Sequence, residues 1–273
     1  MSSDGLAWCI RNGHSFLVSL QFLTIIPVPT RWLARLSPSS EHETEVSTER
    51  PGVQTGALVY YPLVGVIIGG LLLILISLLT AFSSFLSAVV LLTAWVIITG
   101  ALHLDGLADS ADAWLGGHGD KARTLLILKD THSGVAAVLA IVLLLLLKLA
   151  CLNELDNELL LALFFAPVLA RVAVVYLLMT TDYVRESGIA AEMMASLAKK
   201  KLWTLIIFIA LVVIVALGWN GLVILLSIIS AVLIFRYMII RRIGGTTGDT
   251  AGALIELIEL LILFDFVIIG QWA

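Results

Sequence analysis

Seven long apolar segments dominate the chain, at 57–79, 85–100, 134–152, 159–180, 202–217, 222–240 and 253–269. A bilayer core about 30 Å thick calls for spanning helices of about 17 to 25 residues. All seven segments are near that length, the second and fifth being the shortest. Of the 273 residues, 60% are hydrophobic and only 13% charged, against about 25% charged in soluble domains. The expected fold is therefore all-α: a polytopic integral membrane protein forming a single domain over 1–273, with a bundle of about seven transmembrane helices at 57–269. Residues 14–29 are apolar but stop at Pro27 and Pro29, too short a run to span. They are expected to form an interfacial or re-entrant helix. The charged, Ser- and Pro-containing stretch 37–52 reads as a mobile loop.

Charge in the loops sets an orientation. The segments 101–133, 181–201 and 241–253 carry the basic residues Lys121, Arg123, Lys129, Arg185, Lys199 to Lys201, Arg241 and Arg242. The intervening turns carry none, and 153–158 is acidic only. With Arg31 and Arg35 on the same side, the positive-inside rule makes the N-terminus and all three basic loops cytoplasmic, and the C-terminus external. No basic stretch followed by an apolar core and cleavage site opens the chain, so no removable signal peptide is expected. Cys9 and Cys151 lie far apart and read as small buried hydrophobes rather than a disulfide or metal pair. The net charge of −4 says little about partners.

The residues with the clearest chemistry are Asp105, Asp109 and Asp112. Offsets of four and three put them within roughly 60° of arc on one helix face. At about 6 Å and an effective dielectric of about 20, each adjacent pair repels by about 2 to 3 kcal/mol, which a divalent cation would relieve. Asp105 and Asp112 would stand about 10 Å apart along the axis, too far for one ion to be held by all three. Either two ions bind, or Asp112 meets another ion or serves as a base. A second segment, Gly244 to Gly252, is glycine-rich, precedes an apolar helix and contains Asp249. There Gly245, Thr247 and Gly248 are candidates for cradling a phosphate, with Lys129 and Arg123 as basic partners and Asp130 as a further carboxylate. Carboxylates, a glycine cradle and basic side chains together suit metal-assisted phosphoryl transfer. His103 is a candidate acid or base. Inside the spans, Arg171 is expected to pair with Glu256 or Glu259, or these glutamates to bind metal. Lys148 and Arg236 are expected to snorkel.

The strings QFLTIIPVP (21–29), YYPLVGVIIGG (60–70), TGALHLDGLADSADAW (99–114), ILKDTHSG (127–134) and GGTTGDTAGALIELIE (244–259) resemble the cobalamin synthase family, the adenosylcobinamide-GDP ribazoletransferases of bacterial inner membranes. The resemblance implies transfer of phosphocobinamide from adenosylcobinamide-GDP to α-ribazole or its 5′-phosphate. GMP is released, Mg²⁺ assists, and the step closes B12 nucleotide-loop assembly. It implies that Asp105, Asp109, Asp112 and Asp249 bind metal, with Asp112 or His103 taking the proton of the attacking hydroxyl. It implies a lipid bilayer as surroundings, other nucleotide-loop enzymes as neighbours, room for a homo-oligomer, and no nucleic-acid partner. Thr131 and His132 depart from the Ser-Arg found in many members, which leaves Arg123 or Lys129 to cover any phosphate contact. The competing readings are a CDP-alcohol phosphotransferase, whose aspartate motif is spaced differently, and a transporter, which would need more charge at the midplane.

Overall fold

The computed structural model describes residues 3–28, 54–130, 132–155, 158–184 and 198–272. The loop expected over 37–52, together with Arg31, Arg35, Thr131, Asp156, Arg185 and Glu186, lies outside the described residues. The order is α1 (Ser3–Leu23), a 3-10 turn (Gln54–Tyr60), α2 (Tyr61–Leu78), α3 (Ser84–Thr99), α4 (Leu102–Gly116), α5 (Lys121–Ile127), α6 (Val135–Glu154), α7 (Leu159–Thr180), α8 (Lys199–Ile243) and α9 (Gly248–Trp272). Among the described residues there is no strand, only one isolated parallel bridge between Tyr183 and Thr246.

Among the described residues, four helices are long and apolar enough to cross a membrane, or five if α3 and α4 count as one bent span. The seven expected segments all appear as helix, distributed differently from seven uniform spans. Two of them form the 45-residue α8, whose Gly218 has φ 59° and ψ −130°, a conformation open essentially to glycine alone. Trp203 packs edge-on against Tyr176 at 5.9 Å, and Arg236 donates to the Thr180 carbonyl at 2.6 Å. In a straight helix those two side chains would be about 50 Å apart, yet both meet the last turns of α7. The chain therefore doubles back at Gly218, and α8 is a hairpin of two arms. The seventh segment is α9, which carries Asp249, Glu256, Glu259 and Asp265 and so falls short of uniform apolarity.

At the centre stands α7, two thirds (67%) of its most apolar stretch buried, against 11% for α8. Small residues let α2 lie directly on it: a Cβ on Gly65 would stand 2.6 Å from the Pro167 carbonyl oxygen, and one on Gly69 3.0 Å from that of Phe164. Such four-residue spacing of glycines is how helices approach closely where no aqueous driving force operates.

The N-terminal helix corrects the expected 14–29: it begins at Ser3 and ends at Leu23. Its polar first turns hid its start, and Pro27 biases the preceding residues away from helix. Thr24 closes it by donating its hydroxyl to the Leu20 carbonyl at 2.7 Å. The following strand of chain pins the α3–α4 break, with Ile25 N–H bonded to Ile98 oxygen at 3.0 Å. That break uses Gly100 (φ 62°) and Ala101 (φ 55°). Left-handed backbone at an alanine costs about 1 kcal/mol. The result is an 86° turn that lays α4 across the end of the bundle. The segment 101–133 is thus largely two helices, not a loop.

Candidate active site

The N-terminal turns of α9 cross α4 in direct backbone contact. A Cβ on Gly106 would stand 2.6 Å from the carbonyl oxygen of Asp249, and one on Gly252 3.3 Å from the Cα of His103. Gly106 lies between Asp105 and Asp109, so the crossing brings those two carboxylates and Asp249 to one corner of the molecule. Asp105 is exposed, Asp109 and Asp249 half-buried. Asp249 also accepts from the Thr247 hydroxyl at 3.3 Å. Among the described residues no three His, Cys, Asp or Glu side chains are grouped so that they could hold one metal ion. Mg²⁺ needs no such cage, since it keeps several waters and binds through one or two carboxylates plus substrate phosphates. The hard-oxygen donors flanking Gly106 fit that ion.

Asp112, three residues beyond Asp109 on α4, has partners at the start of α6. It accepts the Gly134 N–H through Oδ2 and the Ala137 N–H through Oδ1, the latter at 3.0 Å. It thereby caps the first turn of α6, whose N–H groups have no partner within their own helix. Gly134 is required there, because its Cβ would stand 2.7 Å from Asp112 Oδ1. Asp112→Ala is expected to destabilise the protein by about 1 kcal/mol, and Asp112→Asn, which keeps a capping oxygen, by less. Thermal unfolding of the two variants checks this, and equal stability of both with wild type would remove the capping role.

The glycine-rich segment is occupied mainly with its own structure. Thr246 N–H bonds Asp182 oxygen and Val184 N–H bonds Thr246 oxygen, both at 2.9 Å. A Cβ on Gly245 would stand 2.3 Å from the Asp182 carbonyl oxygen, so that glycine serves this chain pairing. Thr247 accepts the Thr250 N–H at 3.2 Å and so caps α9. Gly248 remains on the wall of a cavity of about 300 Å³ between α1, α2, α4, α7 and α9. His103 is on the same wall, only 4% exposed, with neither ring nitrogen hydrogen-bonded among the described residues. Burial, aided by the nearby Arg171 and Lys148 charges and opposed by Glu259, pushes its pKa down to about 3.

Lys129, Arg123 and Asp130 are exposed. Asp130 is held by the surface residue His132, whose backbone N–H and Nδ1 lie 3.1 and 2.7 Å from its Oδ1. Arg123 contributes its backbone N–H to the Asp120 cap of α5 at 2.8 Å.

Two cations have roles other than those read from the sequence. Lys148 does not snorkel. It is 3% exposed and donates to Glu256 at 2.6 Å and Glu259 at 2.7 Å, while Arg171 pairs with the other oxygen of Glu259. Its ammonium also stands 5.1 Å from the centre of the Trp95 ring. The signal was available, since two glutamates three apart in a span ask for more than one cation. Arg236, also expected to snorkel, instead binds the Thr180 carbonyl and the Thr181 hydroxyl at the end of α7. The second such cation is Arg242, which donates to the Trp114 carbonyl at 2.7 Å and the Thr124 hydroxyl at 3.0 Å. It ties the end of α8 to α4 and α5.

Comparison with known proteins adds a family. Residues 15–268 match the model of the family described as cobalamin-5-phosphate synthase. An adenosylcobinamide-GDP ribazoletransferase of Acinetobacter baumannii is 40% identical over 255 residues, 93% of this chain and 96% of the relative. One from Stutzerimonas stutzeri is 45% identical over 250 residues, 90% of this chain and 95% of the relative. One from Pseudomonas fluorescens is 46% identical over 208 residues, covering 76% and 86%. No solved structure matches.

Proposed function

Since this chain belongs to the cobalamin-5-phosphate synthase family, we propose that it is a transferase catalysing the reaction for which its relatives are named. It joins the phosphocobinamide of adenosylcobinamide-GDP to α-ribazole or α-ribazole 5′-phosphate and releases GMP. The observation that supports this site for it is the backbone contact of Gly106 with Asp249, which gathers Asp105, Asp109 and Asp249 at one corner beside a cavity. A pyrophosphate carries several negative charges, and a carboxylate corner accepts it only with a cation between. One or two of Asp105, Asp109 and Asp249, together with the substrate phosphates, would hold Mg²⁺, which when bound would neutralise phosphate charge and align in-line displacement. The bond that breaks joins the cobinamide phosphorus to GMP, and the bond that forms joins that phosphorus to the ribazole hydroxyl oxygen. With Asp112 capping α6 and His103 buried, we assign the hydroxyl proton to whichever of Asp105, Asp109 and Asp249 is left outside the metal. Lys129 and Arg123, exposed near the same end of the molecule, are the proposed phosphate contacts.

The protein is a membrane protein by its apolar helices. We place it in the bacterial inner membrane with this corner facing the cytoplasm, on the strength of the basic residues Lys121, Arg123, Lys129, Arg241 and Arg242 that surround it. Purified protein in detergent is expected to release GMP from adenosylcobinamide-GDP only with both α-ribazole and Mg²⁺ present. Folded protein that releases none, or releases it unchanged in chelator, would overturn the activity or the metal respectively.

A further inference from the structure

We propose that the cavity under α1 seats the aromatic base of the nucleoside substrate, with His103 donating a hydrogen bond to that base's unglycosylated ring nitrogen. This rests on the transferase reading above. The walls of the cavity are apolar or aromatic, among them Leu58, Tyr61, Val174, Leu178 and Ile255. At about 300 Å³ it is at the small end of ligand pockets, which run from about 300 to 1,000 Å³. Of the three bulky groups the reaction brings together, the corrinoid is several times too large. Guanine's edge carries more donors and acceptors than the few polar side chains on these walls, Gln21, Tyr61, His103 and Tyr183, and some would be buried unpaired. A fused bicyclic base with apolar faces and one ring-nitrogen acceptor matches both the mostly apolar walls and the buried imidazole of His103.

His103 is buried on the wall with both ring nitrogens unpartnered among the described residues. A buried polar group in that condition loses its interaction with water and gains nothing in return. An N–H donated to a bound base would repair the loss. The position also suits the chemistry. Gly248 lines the cavity immediately before Asp249, so a ribose attached to a base seated here begins beside that carboxylate. Tyr183 stands at the same wall, its hydroxyl 3.7 Å from the place of a Cβ on Gly248.

The test is equilibrium dialysis of α-ribazole against the full-length protein in detergent, alongside an analogue with C–H in place of the unglycosylated nitrogen. Wild type is expected to bind α-ribazole saturably and the analogue about tenfold more weakly. In His103→Leu the two ligands should bind within twofold of each other. Val174→Phe, which fills the cavity, should weaken both. Retained tenfold discrimination in His103→Leu, unaltered binding by Val174→Phe, or displacement of nothing but phospholipid from the cavity would overturn the proposal. Should His103→Leu fail to fold, the analogue on wild type and Val174→Phe decide. Dialysis needs no turnover, so absence of GMP release would count against the transferase reading and leave the binding result to judge the cavity.

Discussion

Asp105→Asn and Asp249→Asn are each expected to lower the rate of GMP release by about a thousandfold, comparable to removing one preorganised electrostatic partner of a transition state. Both substitutions keep the shape of the side chain and remove its charge. Asp105 is exposed on the first turn of α4, and Asp249, half-buried on the first turn of α9, accepts from the Thr247 hydroxyl, a bond that an asparagine oxygen can also accept. The variants should therefore insert and unfold thermally like wild type while losing turnover. Raising Mg²⁺ should partly recover a variant that has lost one ligand of two or three. Turnover within tenfold of wild type in either variant would remove that carboxylate from the site. Asp130→Asn is the contrast, since Asp130 sits at the surface against His132, and a smaller loss is expected.

The largest expected loss of stability comes from Glu259→Leu. In the native protein two cations, Lys148 and Arg171, meet two anions, Glu256 and Glu259, with all four side chains no more than 5% exposed. Glu259 touches both cations, so its removal leaves a positive charge enclosed without an anion. Breaking a buried pair in this way costs about 3 to 5 kcal/mol, seen as a fall of about 10 °C in the unfolding midpoint for a chain of this size. Lys148→Met combined with Glu256→Gln removes one charge of each sign and leaves the Arg171–Glu259 pair intact. That double variant should unfold nearer to wild type than Glu259→Leu does. If the two unfold alike, charge balance is not what holds these helices together.

The helical segments and the acidic motif could be read from the sequence because each is a local property. An apolar run reports its own burial, and Asp105, Asp109 and Asp112 share a helix face by spacing alone. Local spacing could not say where each carboxylate points after the chain turns. Asp112 differs from Asp105 only in what lies opposite, and what lies opposite is Gly134, supplied by another helix. The same holds for Gly245 and Thr247. Their composition matched a phosphate cradle, but Gly245 is fixed by the close passage of Asp182 and Thr247 by the first turn of α9. Gly218 falls between the two apolar segments 202–217 and 222–240, and its backbone turns one arm of α8 back on the other. The role of Lys148 escaped notice because one lysine in an apolar segment has a ready explanation at either membrane face, and only the glutamates of α9 reveal which applies. Gly106 and Gly252 left a legible trace, small residues inside otherwise well-packed helical motifs, but their meaning needs the partner helix.

The distance along the chain between Lys148 and its anions has a consequence for biosynthesis. Glu256 lies 108 residues after Lys148. At about 5 to 20 residues per second of translation, α6 waits roughly 5 to 20 s for α9 to be synthesised. During that interval a lysine meant for the interior has no carboxylate to meet, and the ring of Trp95, already made, is the native neighbour at hand. The carboxylate corner is likewise incomplete until Asp249 arrives. Ribosomes stalled before α9 would therefore display a nearly whole set of helices with neither its charge balance nor its chemistry, and quality control has until the last helix to tell the two apart.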